Sequence, residues 1–143
     1  MNGMDVAFVV IADAANQTPH GKLNILGAYN VAFADGFPAQ LAGSKLVMRF
    51  GYTAVEAGDE HVLMVKLVDQ EHNVLGEKSG SITLGEGHGA RAFFDLVQDL
   101  TPLVFPEPGQ YELKVYIDGR EEGAAQLTLR ETPQGKEETG DED

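Results

Sequence analysis

Between Gly109 and Gly119 the chain reads Gly-Gln-Tyr-Glu-Leu-Lys-Val-Tyr-Ile-Asp-Gly, with an apolar side chain at nearly every second position. Tyr111, Leu113, Val115 and Ile117 fall on one side of an extended chain, and Glu112, Lys114, Tyr116 and Asp118 on the other. Successive strand side chains point to opposite faces, so the spacing predicts a strand with one buried and one solvated face. Weaker copies of the pattern, punctuated by Gly, Pro, Asn and Asp, fill the rest of the sequence.

Eight strands are predicted in all. The first, about Met4 to Asp13, is apolar on both faces and therefore central. The second, Leu23 to Phe33, puts Leu23, Ile25, Val31 and Phe33 on one side, with Gly27 marking a bulge or bend. Residues 37–42 form a connection or a single helical turn. The third, Lys45 to Tyr52, points Leu46, Met48, Phe50 and Tyr52 inward, and the fourth, Glu60 to Asp69, buries Leu63, Val65 and Leu67. The fifth, Val74 to Leu84, is interrupted by Gly76 and Gly80 as an edge strand would be. The sixth, Ala90 to Leu100, reads as a strand or a short amphipathic helix. The seventh is the Gly109–Gly119 strand, and Asp118 to Gly123 turns it into the eighth, Ala124 to Arg130, with Ala125, Leu127 and Leu129 inward. Strands and helices do not alternate, which disfavours a parallel α/β sheet. Many short strands at regular spacing predict an all-β, antiparallel β-sandwich over residues 1–131.

The 143 residues suit one domain, and 43% apolar content suffices for a core without covalent staples. The absence of Cys removes disulfides, thiolate metal sites and Cys nucleophiles from consideration. Val6 to Ala12 is apolar, but no Lys or Arg precedes it and Asp5 stands in front, so it reads as a buried strand rather than a secretory leader. A cytoplasmic protein is the resulting expectation. Ten Lys and Arg against 23 Asp and Glu give a net charge of −13. Residues 132–143 carry five acids and one base, −4 of that total, leaving −9 for the body. This segment is expected to be a disordered acidic tail. Such a balance argues against nucleic-acid phosphates and anionic membranes as direct partners.

Glu107-Pro108-Gly109-Gln110-Tyr111-Glu112-Leu113 resembles the corner before the penultimate strand of immunoglobulin-like domains, with Leu113 at the place of the disulfide Cys. The resemblance implies that Tyr111 is a structural tyrosine-corner residue whose hydroxyl returns to backbone, with Gly109 part of the corner. The chain also resembles a family of small bacterial proteins known as a domain of unknown function. The matching landmarks are Ala12 to Asn16, Gly21 to Gly27, Phe105 to Tyr111 and Val115 to Gly119. That resemblance implies a β-sandwich and a bacterial or phage source and supplies no catalytic residue; with the corner motif, the expected topology is Ig-like or a related Greek key.

Candidate chemistry is sparse. The first loop carries Asp13, Asn16, His20, Lys22 and Asn24, and with His88 and Arg91 of the Gly-rich loop it forms the candidate ligand or partner surface. The competing reading is turn architecture, with Asp13 accepting backbone N–H groups and Gly21 at positive φ, and the turn chemistry favours it. The four His residues, at 20, 61, 72 and 88, lack the spacing of a preformed metal site and read as exposed, although His61 and His72 flank one hairpin. No metal or cofactor is implied. Gly85 to Arg91 lacks the ending and setting of a phosphate loop. Ser44, Ser79 and Ser81 lack a nucleophile-elbow context. The expectation is a non-enzymatic module that binds another protein or its own copy, with the fifth and sixth strands as the self-association surface. The alternatives are a sandwich that binds or hydrolyses a small molecule with its end loops, and an acidic mimic of nucleic acid.

Overall fold

The computed structural model describes residues 4–85 and 92–133. Nine strands occupy them: β1 (Asp5–Gln17), β2 (Leu23–Tyr29), β3 (Val31–Ala34), β4 (Lys45–Tyr52), β5 (Glu60–Asp69), β6 (Val74–Thr83), β7 (Ala92–Asp99), β8 (Gly109–Ile117) and β9 (Arg120–Glu131). They form a four-stranded sheet of order β2-β1-β4-β7 and a five-stranded sheet of order β3-β9-β8-β5-β6. The inner faces of both contribute to one apolar cluster. Leu46, Met48, Phe50 and Tyr52 come from one sheet, and Leu63, Val65, Leu67, Leu113, Val115, Leu127 and Leu129 from the other. Burying each such side chain contributes roughly 1.5–3 kcal/mol.

The alternation in β8 holds at every inward position: Tyr111, Leu113, Val115 and Ile117 are all buried. The Tyr111 ring meets Phe105 edge-on with centroids 5.1 Å apart. Its hydroxyl donates to the Glu107 carbonyl and accepts from the Glu107 N–H at 3.3 Å, so the hydroxyl does return to backbone as expected. β1 is internal and β6 is an edge, as their patterns required. The segment read as strand or helix is strand from Ala92 to Asp99.

Two expectations change. The predicted second strand is broken at Asn30 into β2 and β3, which belong to different sheets. Val31 and Phe33 point to solvent while Ala32 and Ala34 turn inward. β3 runs parallel to β9, so the assembly is not purely antiparallel. Residues 37–42 are a connection, as the first of the two readings had it, and within it Ala39 pairs with Phe105 through two backbone hydrogen bonds of 2.9 and 2.8 Å. The last turn is also tighter than expected. Asp118 (φ 52°) and Gly119 (φ 86°) alone join β8 to β9, and positive φ at both central residues is the two-residue geometry that suits the right-handed twist of paired strands.

Candidate interaction surface

The polar residues of the predicted first loop lie on a β1–β2 arm. β1 pairs with β4 only up to Ala12 opposite Lys45, so residues 13–17 and their β2 partners project as a two-stranded arm past the start of β4. The Gly-rich connection leaves β6 after Thr83 and enters β7 at Ala92, which lies opposite Tyr52 at the far end of β4. One strand length, about 25 Å, separates the two ends. His88 and Arg91 lie outside the described residues, as do 134–143 of the acidic tail.

In the arm, turn architecture accounts for much of the polarity. Thr18 N–H donates to the Lys22 carbonyl (2.8 Å), Gly21 N–H to the Thr18 carbonyl (3.0 Å) and Lys22 N–H to Thr18 Oγ1 (3.0 Å). Gly21 takes φ 82°. Asn24 Nδ2 donates across the ribbon to Asn16 Oδ1 at 2.9 Å. Asp13 caps no backbone group among the described residues; it lies against Gly27, where an added Cβ would sit 2.5 Å from Asp13 Oδ2. Gly27 (φ 71°) bends the strand, while Ala12–Ala28 and Ala14–Leu26 pair in one continuous register. His20 and Lys22 are exposed.

The histidines correct a further expectation. His61 is buried, 8% exposed, and its Nδ1 lies 2.7 Å from Asp118 Oδ2. Its Nε2 is 3.4 Å from the Glu56 carbonyl, and Asp118 Oδ1 accepts the Val62 N–H at 2.9 Å. Burial pushes the His61 pKa down, but Asp118, the Glu56 carbonyl and Asp59 outweigh it and hold the imidazole above its ordinary value. His61 in turn holds the Asp118 carboxyl below its ordinary value. His72 sits in the turn beyond the other end of β5, more than about 25 Å away by strand rise, which removes a shared metal. No group of three or more His, Asp or Glu able to hold a metal occurs among the described residues. With both ring nitrogens engaged, His61 ties the β8–β9 turn to the segment before β5.

A second cluster was missed. Arg49 forms two hydrogen bonds to Asp95, Nε to Oδ1 at 2.7 Å and Nη2 to Oδ2 at 3.0 Å, and its guanidinium lies 5.7 and 5.5 Å from the ring centroids of Phe8 and Phe93. The pair is set by register, since Arg49 of β4 stands opposite Asp95 of β7. The sequence showed Arg49 facing outward but carried no sign of a partner 46 residues away.

One exposed region stands out for its lack of charge. Leu23 to Ala34 contains no Asp, Glu, Lys or Arg, yet it forms β2 and β3, the outermost strands of both sheets on the same side. Leu26 is 71% exposed and Phe33 56%, with Val31 and Ile25 also exposed. β2 covers β1 only from Ile11 to Gln17, and β3 covers β9 only from Thr128 to Glu131. The uncovered stretches flank a cavity of about 370 Å³ lined by uncharged residues including Val9, Val10, Ala28, Tyr29 and Ala124. A second, of about 360 Å³, lies beside Phe33, Val31, Leu41 and Asp13, where the Tyr29 hydroxyl donates to Ser44 Oγ at 2.7 Å.

Fold and surface together define an all-β, two-sheet domain with an uncharged β2–β3 side and no helix long and apolar enough to cross a membrane among the described residues. The chain belongs to DUF6941, a family of unknown function whose model matches residues 7–130. No curated protein matches the sequence. Among solved structures, the chain is similar to the Pseudomonas fluorescens alkylpurine DNA glycosylase AlkC bound to DNA containing an abasic site analogue, at 16% identity and TM-score 0.44. That match covers 90% of this chain and 31% of the glycosylase, so the chain spans about a third of that protein. It is also similar to the C-terminal domain of wzt, at 9% identity and TM-score 0.47, over 93% of this chain and 77% of that one.

Proposed function

We propose that the protein is a non-enzymatic, Ig-like β-sandwich module that associates with a second copy of itself through the β2–β3 edge. Strand order supports the Ig-like reading. β9-β8-β5-β6 follows the G-F-C-C′ sequence of a variable-type sheet, and β1-β4-β7 follows A-B-E in the other. β2 is then an addition beside A. Tyr111 stands at the start of the F-like strand, where a tyrosine corner belongs.

The observation that carries the self-association is the uncharged run from Leu23 to Ala34 on two free edges. A chain of net charge −13 repels its own copy, and the repulsion is weakest where two uncharged strips meet. A free strand edge also offers unpaired N–H and C=O groups to an antiparallel copy across a twofold axis. β2 pairing with β2 of another molecule would merge the two four-stranded sheets, and Leu26 and Phe33 would leave water. The β6–β7 side, the surface expected from the sequence, is a weaker choice. There Lys78 Nζ donates to the Asp99 and Thr101 carbonyls at 2.6 and 3.1 Å, bridging β6 to the end of β7 and the connection beyond it.

Sedimentation velocity from low to high micromolar concentration tests the reading. A concentration-dependent dimer that becomes monomeric in Leu26→Glu and Phe33→Glu supports it. A strict monomer across that range, or a dimer untouched by both variants, overturns it.

A further inference from the structure

At the other end of β8 and β9 from the His61 pair, the outer face of the five-stranded sheet carries a polar groove. β8 and β9 place Gln110 opposite Thr128 and Glu112 opposite Gln126. The β5–β6 turn adds Gln70 and His72, and the groove encloses about 290 Å³. It continues over Gln70 and Gln110 into a smaller hollow beside Glu107 and Gly109. The turn is firmly built. Asp69 Oδ1 accepts the N–H groups of Glu71 and Asn73 at 2.9 and 2.8 Å, and the Asn73 amide donates to Asp69 Oδ2 at 3.2 Å. This holds His72 at φ 69°, a conformation uncommon for a residue with a side chain.

The groove's hydrogen-bonding capacity is unspent. The side chains of Gln70, His72, Gln110, Gln126 and Thr128 make no hydrogen bond to the described protein. Three amides, an imidazole and a hydroxyl offer donors and acceptors together. We propose that this groove binds an uncharged saccharide.

Three other ligand classes fit less well. Among the described residues no Lys or Arg lines the groove, while Asp69 and Glu112 do, so an anion would meet repulsion. Among the lining residues only Leu127 and Tyr111 supply apolar surface, and both are buried, too little for an apolar ligand. An added peptide strand needs an open edge. Here β8 is paired on both sides and Thr128 of β9 pairs with both Gln110 and Val31, so of the lining only Gln126 and Leu127 lie on the uncovered stretch of β9, too short an edge for a strand. Recognition therefore falls to side chains. Sugar hydroxyls, each both donor and acceptor, match neutral amides, and the extended shape suits more than one ring. Without a stacked aromatic platform, affinity rests on hydrogen bonds and is weak.

The test is titration of the ¹⁵N-labelled full chain with maltotriose, cellotriose and mannotriose, followed by NMR, with sialyllactose as the anionic comparison. The expected result is a saturable shift of the Gln110 and Gln126 side-chain amides and the His72 backbone amide with at least one neutral trisaccharide. Paired Gln110→Ala and Gln126→Ala substitutions should weaken binding about tenfold or more. Both side chains are exposed, so the thermal midpoint should stay put. Gln110→Glu, which keeps the shape and adds charge, should also weaken binding. The proposal is overturned by the absence of a saturable shift with all three neutral sugars at millimolar concentration. Shifts mapping away from the groove, unchanged affinity in the paired variant, or tighter binding of sialyllactose would equally overturn it.

Discussion

Replacing Asp118 with Asn separates charge from geometry at the β8–β9 turn. Asn tolerates the left-handed φ of 52° and its Oδ1 can still accept the Val62 N–H. What disappears is the negative charge 2.7 Å from His61 Nδ1. A hydrogen bond between charged groups contributes about 1.5–3 kcal/mol. Because the Asp118 side chain is 43% exposed, solvent screening brings the expected loss to about 1 kcal/mol. The sign of its pH dependence follows from the two shifts. His61 is held above 6.5 in the fold, so its contribution is complete below that pH and is lost as pH rises through the folded value. Asp118 is held below 3.8, so its contribution is present above that value and is lost as pH falls further. The pair is therefore strongest between about pH 4.5 and 6.5. Urea unfolding of wild type and Asp118→Asn at about pH 5.5 and pH 9 measures it, with the full ~1 kcal/mol at the lower pH and a few tenths at the higher. An equal penalty at both values, or a larger one at pH 9, would refute the charge assignment.

Three further outcomes follow from local geometry. Tyr111→Phe keeps the ring against Phe105 and removes the link to Glu107, so thermal unfolding should show a loss of about 1 kcal/mol, a few degrees in Tm. Gly27→Ala meets both a positive φ and Asp13 Oδ2, and should cost about 1–3 kcal/mol by chemical denaturation. Adding Asp13→Ala should recover part of that loss, and a strictly additive double mutant would show that the close approach contributes nothing. Arg49→Lys gives up the two-pronged bond to Asp95 and the planar group between Phe8 and Phe93, an expected loss of about 1–2 kcal/mol by denaturant titration.

Where inward positions carry large apolar residues, the sequence was legible. Leu63 to Leu67 and Tyr111 to Ile117 alternate and are buried as their spacing requires, and Leu46, Met48, Phe50 and Tyr52 are buried too, in a strand that also buries Val47 and Gly51. The pattern left the buried face undecided at β3, whose inward residues are the small Ala32 and Ala34 and whose large residues face water. Asn30 gave no strong break signal within the run, so two edge strands read as one. The polar sites were hidden for a different reason. His61 meets Asp118 57 positions on, and Arg49 meets Asp95 46 on. Only the register between strands creates those pairs, and alternation along one strand does not encode it. The β2–β3 edge was partly visible, since its residues were recognised as apolar. That they stay exposed depends on which strands lack an outer neighbour.

The single residue between β2 and β3 has a mechanical consequence. Asn30 carries the chain from one layer to the other, and its carbonyl is already tied to the Thr128 N–H at 2.8 Å. No slack remains at this corner for the layers to slide past each other. Lengthening the passage by one residue would have to throw either the Ile11–Tyr29 or the Val31–Thr128 pairing out of step, whereas the Thr18–Lys22 tip can grow without disturbing either layer.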